Sequence, residues 1–326
     1  MLILHIGTHK TGTSSLQSVL TQRADALREK GVRYIEAARE NRIAHHPLAW
    51  AIRGRRGAAL TVWDDVRREL QNAAEPVKLL STEGFWFEDP DAIKEQLAWS
   101  GPVRIVAYVR RQDKYLQSLY KQTVASGRKT DFDKWLKDVP HRGDYYSVIA
   151  RWADTFGERA ITLLPYERSG RTIDVVEDFL RVLNLDPGPL LAGRKYPQNP
   201  SPRRELLHFL RAFNQLNLKM DHEKFFYSVI QRNKAYVRST DLLSAERCAA
   251  LLEDHAESNR KLAERFWHDE TMPLFPAFVP HGLPQQWGLD DPEFFTLTVD
   301  VLKAVVKFLD GENEPRKKKR KTAKPP

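Results

Sequence analysis

The sequence predicts an α/β fold, a central parallel sheet flanked by helices, with a mostly helical C-terminal part. Three observations lead there. Over roughly the first 200 residues, short β-rich apolar runs alternate with amphipathic stretches, the habit of parallel strands joined by crossover helices. One of these runs is apolar almost throughout, as a strand buried on both faces must be. From Pro202 onward the apolar spacing is mostly helical.

Leu2–Ile6 reads as the first strand, followed by a Gly/Thr/Ser loop and a helix from about Ser14 to Lys30. Val77–Ser81 is a second strand, and Val103–Val109, VRIVAYV with its single arginine, is the third. From Lys114 to about Ser126, Tyr115, Leu119 and Gln122/Thr123 recur at helical spacing. Ala160–Leu164 is a fourth strand, and Ser169–Asn184 reads as a helix with Val175, Val176, Phe179, Leu180 and Leu183 on one side. Further helices are expected at 202–217, 221–233, 244–266 and 291–309. The chain has no internal repeat and no Gly/Ser linker, and Gly/Pro density rises only at 186–202 and 272–292. One domain is therefore expected over 1–310, its α/β core at about 1–200 and its helical part at about 201–310.

With 326 residues, 41% hydrophobic and 29% charged, the chain can bury a full core, which excludes wholesale disorder. Its single cysteine, Cys248, excludes an internal disulfide or a cysteine-based zinc cluster and reads as a buried small hydrophobe. No run approaches the roughly 18 apolar residues of a membrane span, and the first ten residues lack the pattern of a signal peptide. A soluble, cytoplasmic protein is expected. Seven of the nine net positive charges lie in the terminal RKKKRKTAKPP, leaving +2 for residues 1–315. The body is thus nearly neutral, and no specific nucleic-acid binding is expected of it. The basic tail, 311–326, should be disordered. It reads as a solvated end, with anionic lipid, polysaccharide or nucleic acid as the surfaces it would contact.

The strongest local signal is Gly7-Thr8-His9-Lys10-Thr11-Gly12-Thr13-Ser14, directly after the first strand and leading into a helix. It reads as an anion cradle. Glycines let the backbone approach a ligand, the hydroxyls of Thr11, Thr13 and Ser14 add donors, and the helix start offers unpaired N–H groups and the positive end of the peptide dipoles. Lys10 adds a full charge. An NTP-binding P-loop wants its lysine directly after the second glycine, where this chain has Thr13. A nucleotide kinase is therefore the second reading, and a non-catalytic anion-binding protein the third.

The third strand ends in Arg110, with Ser118 eight residues later on the following helix. Both can reach one phosphate at the carboxyl edge of the sheet, where open α/β folds bind ligands. Taken together, HKTGTSSLQ resembles the 5′-phosphosulfate loop, and YVRRQDKYLQSLYKQ the 3′-phosphate motif, of sulfotransferases that use 3′-phosphoadenosine 5′-phosphosulfate (PAPS). The likeness is nearer to the glycan-type and bacterial enzymes than to aryl sulfotransferases. Gly193-Arg194-Lys195-Tyr196-Pro197 is similar to the basic loop that closes over the nucleotide in the glycan enzymes. The likeness covers about residues 1–200. It departs from the family pattern at Arg111-Gln112, where the family carries Asn-Pro, and gives no motif for the C-terminal third.

The resemblance implies a P-loop-like sulfotransferase fold and transfer of a sulfuryl group from PAPS to a hydroxyl or amine, expected on a carbohydrate, without a metal. It implies that Lys10 stabilises the leaving oxygen, that Thr11, Gly12, Thr13 and Ser14 hold the 5′-phosphate, and that Arg110, Ser118 and Arg194 hold the rest of the nucleotide. Glu83 is the expected base. It directly follows the second strand, and flanking Phe85 and Trp86 are expected to desolvate it and raise its pKa. His45 and His46 are rival bases, whereas His5 and His9 read as structural. Trp267, Phe275, Phe278 and Trp287 read as core packing before acceptor cleft.

Overall fold

The computed structural model describes residues 1–41, 43–54, 59–139, 141–168, 171–193, 204–217, 220–232, 242–269, 271–280, 299, 301–303, 305 and 306. In chain order its elements are β1 (Leu2–Gly7), α1 (Thr13–Gln22), α2 (Ala24–Glu29), β2 (Val32–Tyr34), α3 (His46–Ile52), α4 (Val62–Asn72) and β3 (Val77–Ser81). A 3-10 turn at Glu83–Phe87 leads to α5 (Pro90–Leu97), β4 (Val103–Val109), α6 (Gln112–Ala125), α7 (Phe132–Asp138) and α8 (Tyr145–Phe156). Then come β5 (Ile161–Pro165), the hairpin strands β6 (Glu167–Arg168) and β7 (Arg171–Thr172), α9 (Val175–Val182) and α10 (Pro187–Leu191). The last are α11 (Arg204–Asn214), α12 (His222–Arg232), α13 (Ala245–Glu253) and α14 (Ala256–Phe266). None of these helices is long and apolar enough to cross a membrane.

Five parallel strands form the central sheet in the order β2-β3-β1-β4-β5. The fold is the expected α/β architecture, with differences in its parts. β2 is an added edge strand, too short at three residues to show alternation. The first expected helix is two, α1 and α2, divided at Arg23. Within the stretch expected to be helical from Ser169, Arg171–Thr172 is instead the strand β7, and α9 starts only at Val175, where Asp174 accepts the N–H groups of Val176 and Glu177 (3.0 and 3.4 Å). That cap fixes the start more firmly than the apolar spacing does. The helix expected at 244–266 is likewise two. The basic tail and most of 291–309 lie outside the described residues.

The chain divides into two compact units. The first comprises Met1–Leu119, Val139–Pro197 and Ala245–His281 and contains the sheet. All six residues of β1 are buried, and successive side chains face opposite ways. Ile3 joins Leu16 and Leu20 of α1 and Val176, Phe179 and Leu180 of α9 in one apolar cluster. Elsewhere in this unit Phe85 stacks on Trp63, ring centroids 6.0 Å apart, and lies 6.4 Å from Trp152. The single cysteine, Cys248, is buried, as expected of a small hydrophobe.

The second unit comprises Tyr120–Asp138, Gln198–Ser244 and Gly282–Pro326. Tyr120, Phe132 and Trp135 form a triangle of rings 5.3 to 5.6 Å apart. Asn214 donates to the carbonyls of Val124 and Arg128, each at 2.9 Å.

Two buried histidines stitch the strand ends. His45 donates from Nε2 to the Ile35 carbonyl (2.9 Å) and accepts the Ser81 N–H at Nδ1 (3.1 Å), which defines a neutral ring. His5 shares a hydrogen bond with the Ser81 hydroxyl at 2.8 Å. Burial pushes both pKa values down to about 4 from 6.5. Between those values the unfolded chain binds protons that the folded chain refuses, so stability is full above about pH 6.5 and falls toward pH 4, by ~1.4 kcal/mol per pH unit for each ring. Melting temperatures recorded from pH 7.5 to 4 should hold steady above 6.5 and decline steeply below it; a flat profile would show that these rings are not buried neutral.

Candidate active site

β1 lies between β3 and β4, so the segments after these three strands surface side by side at the carboxyl edge of the sheet. The loop after β1 is fastened to both neighbours. The Thr8 N–H donates to the Tyr108 carbonyl of β4 and the Thr82 N–H to the His5 carbonyl of β1, at 2.9 and 3.0 Å. A side chain at Gly7 would bring its Cβ within 2.9 Å of Glu83 Cβ, and one at Gly12 within 2.6 Å of Val175 Cγ1. Both glycines have positive φ (104° and 80°), a region that other residues enter at a cost. Lys10, between them, also has positive φ, 63°, which for lysine stores roughly 1–3 kcal/mol of strain.

The first α1 bond runs from the Leu16 N–H to the Gly12 carbonyl (3.1 Å). The amides of Thr13, Ser14 and Ser15 therefore precede the helical ladder, and no side chain caps this end. Ser14 is exposed and Thr13 is buried. Thr11 is buried, and its hydroxyl donates to the Thr8 carbonyl at 2.6 Å. Its proton is spent on closing the turn, so of the three hydroxyls expected to add donors, this one serves the loop's own shape.

Beside the loop stands Arg110, directly after β4. Its guanidinium lies over the Tyr166 ring at 5.2 Å and pairs with Glu167 at 3.3 Å. The other edge of Tyr166 reaches the loop, its Cε2 lying 3.6 Å from where a Gly12 Cβ would be. One aromatic ring thus bridges the cradle and the arginine. The Tyr145 hydroxyl donates to the Arg110 carbonyl at 2.6 Å and fixes the turn. Ser118 lies on α6, partly exposed on the same stripe as Lys114.

The adjacent Arg111 turns inward. It grips Asp113 with two bonds (2.8 and 2.9 Å) and donates to the carbonyls of Pro276 and Ala277, both at 3.0 Å. The pair Arg111-Gln112 that departs from the family's Asn-Pro is therefore occupied with the fold. Gln112 exchanges two amide hydrogen bonds with Asn259, at 2.6 and 3.1 Å. Phe275 sits against Tyr145 and Phe278 against Arg111, and the Trp267 ring donates to the Met272 carbonyl. These contacts are packing. Arg194 and Trp287 lie outside the described residues.

On the other side of β1 stands Glu83, its side chain 13% exposed. Gln17 of α1 donates from one amide nitrogen to Glu83 Oε2 (3.0 Å) and Ser81 Oγ (3.3 Å). His46 Nε2 lies 4.0 Å from Glu83 Oε1. Thr82 Oγ1 accepts the Gly84 N–H at 3.0 Å and meets His46 Nδ1 at 2.8 Å. Burial alone would raise the Glu83 pKa, but the fields of His46 and His9, its own N–H and the Gln17 amide outweigh it, and the net direction is downward. This corrects the expected rise. Phe85 and Trp86 point into the core, Trp86 against Tyr145, and leave the carboxylate to polar neighbours.

His9 lies among these groups. Burial, set against Glu83 and reinforced by Arg142, His46 and Lys10, holds its pKa down to about 4. The rival bases separate: His45 is committed to the strand ends, and His46 stands beside Glu83. Nothing in the sequence marks Gln17, Tyr166 or Arg142 as site residues. The available signal for Gln17 was an amide next to the buried apolar positions of α1.

No protein-family model matches the chain. An uncharacterized protein of Archaeoglobus fulgidus is 32% identical over 170 residues, which is 50% of this chain and 46% of that protein. The match thus spans about half the length of that relative. Among solved structures, a crystal structure of a sulfotransferase from Alicyclobacillus acidocaldarius superposes with a TM-score of 0.41 at 17% identity, covering 67% of this chain and 93% of that one.

Proposed function

We propose that this chain is a sulfotransferase that moves the sulfuryl group of PAPS to a hydroxyl or amine of a carbohydrate acceptor. The observation that carries the reading is the Tyr166 ring, which spans from Gly12 in the loop to the Arg110 guanidinium. Two anion-seeking features thereby flank one aromatic wall, as a nucleotide with a phosphate at each end of its ribose requires. The residues fit that donor: unpaired amides at the start of α1 for one phosphate, and a planar guanidinium for the other.

When bound, PAPS supplies a sulfuryl group whose bond to the 5′-phosphate oxygen breaks as the acceptor oxygen or nitrogen bonds to sulfur. Lys10 is placed in the loop to donate to that oxygen as its charge grows, an interaction stronger in the transition state than before it. The amides of Thr13–Ser15 hold the 5′-phosphate, and Arg110 with Ser118 takes the 3′-phosphate, Glu167 giving up its share of the guanidinium. Glu83 takes the acceptor's proton. Its lowered pKa keeps it ionised at neutral pH, and anionic groups bound beside it raise its basicity toward the working range. Gln17 orients the carboxylate, and His46 stabilises its charge.

The basic tail is proposed to be a solvated end drawn to anionic surfaces. For the body, the decisive experiment compares ligands by thermal shift. 3′,5′-ADP should stabilise the protein without metal, by about 2.7 kcal/mol at roughly 100 times its Kd, and AMP far less. Stabilisation by ATP that requires Mg²⁺ would overturn the reading in favour of a kinase. Lys10→Ala should retain 3′,5′-ADP binding and lose sulfuryl transfer by about 10²–10³-fold; full turnover in this variant would remove Lys10 from the mechanism. Glu83→Gln should lower turnover by ~10²–10⁴-fold with donor affinity intact, and an unchanged rate would shift the role to His46.

A further inference from the structure

The turn that carries Arg110 is held from a distant part of the chain. Arg110 directly follows β4, and α6 begins two residues later at Gln112, where the family pattern has proline. Proline at the first position of a helix sets that backbone by itself. Glutamine leaves it free, and here its side chain supplies the constraint. Gln112 is fully buried. Its amide nitrogen donates to the Gly143 carbonyl (3.1 Å) and to Asn259 Oδ1 (2.6 Å), and its oxygen accepts from Asn259 Nδ2 (3.1 Å). Because a carbonyl only accepts, Gly143 decides which end of the Gln112 amide is nitrogen, and the pairing decides the same for Asn259.

The Gly143 carbonyl also accepts the Tyr145 N–H (3.0 Å), and the Tyr145 hydroxyl donates to the Arg110 carbonyl (2.6 Å). A closed circuit of hydrogen bonds thus runs from Asn259 through Gln112, Gly143 and Tyr145 back to the Arg110 backbone. The first turns of α14 grip it at more than one point. His255 donates from Nε2 to the Arg142 carbonyl (3.4 Å) and occupies the space a Gly143 side chain would need, and the Ser258 hydroxyl donates to Asp144 (2.7 Å). Residues 255, 258 and 259 share one helix face by their spacing. Arg111, Gln112 and Asp113 are all buried, which leaves Arg110 as the outward side chain of the turn. A guanidinium that must leave Glu167 for an incoming phosphate keeps its aim only if its backbone stays put, since freedom lost on binding subtracts from affinity.

We propose that Gln112 and Asn259 are a positioning pair for Arg110, through which α14 sets the preference for a nucleotide with a 3′-phosphate. This rests on the sulfotransferase reading and adds to it the residues that hold its 3′-phosphate arginine in place.

The test is titration calorimetry on the full chain with 3′,5′-ADP and AMP, which differ only in that phosphate. Asn259→Ala, on a partly exposed helix face, and Gln112→Ala, at a buried position, should each weaken 3′,5′-ADP by about three- to tenfold and leave AMP unchanged. Arg110→Ala should remove most of the preference for 3′,5′-ADP, and adding Asn259→Ala to it should cost nothing further, because a residue that acts through Arg110 has no effect without it. An Asn259→Ala protein that binds both nucleotides as the wild type does would overturn the proposal. So would an equal loss of both, the mark of a merely structural role, or a loss that persists in the Arg110→Ala background. A wild type without preference for 3′,5′-ADP over AMP would instead strike the donor reading itself.

Discussion

The turn after β1 has room for backbone and for nothing else at two points, and the arrangement of the whole carboxyl edge follows from that crowding. At Gly7 the chain passes so close to Glu83 that one added carbon would collide with it, and at Gly12 the same holds for Val175. The loop is therefore a spacer of fixed thickness, with the start of the 3-10 turn on one side and the start of α9 on the other. Hydrogen bonds from Thr8 to β4 and from Thr82 to β1 lock that thickness to the sheet. A carboxylate, a cradle and a guanidinium from three separate strands can then occupy constant positions without any loop of their own being long or independently ordered.

Electrostatics adds a second layer of design. Burying a carboxylate ordinarily favours its neutral form. At Glu83 the Gln17 amide and the two histidines reverse that preference, and Gln17 does so while its other amide hydrogen holds Ser81. Ser81 is in turn the anchor for His5 and His45. Glu83 and the residues that hold the strand ends belong to one polar cluster, so acid that protonates the structural rings also disturbs the surroundings of this carboxylate.

Much of this was legible in the chain. The strands at Val77–Ser81 and Val103–Val109 coincide with β3 and β4, because short apolar-rich runs flanked by polar or turn-forming residues leave little choice of ending. The glycine loop was visible because its spacing is unusual, and Glu83 and Arg110 because each directly follows a strand. What escaped is what depends on tertiary neighbours. β2 is too short to show a period. The division of α1 from α2 at Arg23 has no proline or glycine to announce it. Arg110 and Arg111 are chemically identical in the sequence, and only the position of Asp113 and the 276–277 carbonyls separates the outward one from the inward one. The direction of the Glu83 pKa is hidden from the sequence for the same reason: Phe85 and Trp86 follow it along the chain, but both are buried in the core.

Tyr166 gives the edge a caliper. Because a rigid ring, and not a flexible side chain, fills the distance between Gly12 and Arg110, the gap between the jaws is set by the width of a phenol. Under the proposed reading, discrimination among nucleotides becomes a matter of length: a ligand whose two charged ends are too near or too far apart can satisfy one jaw only. Evolution toward a different donor would then begin at residue 166, with no charged group needing to change.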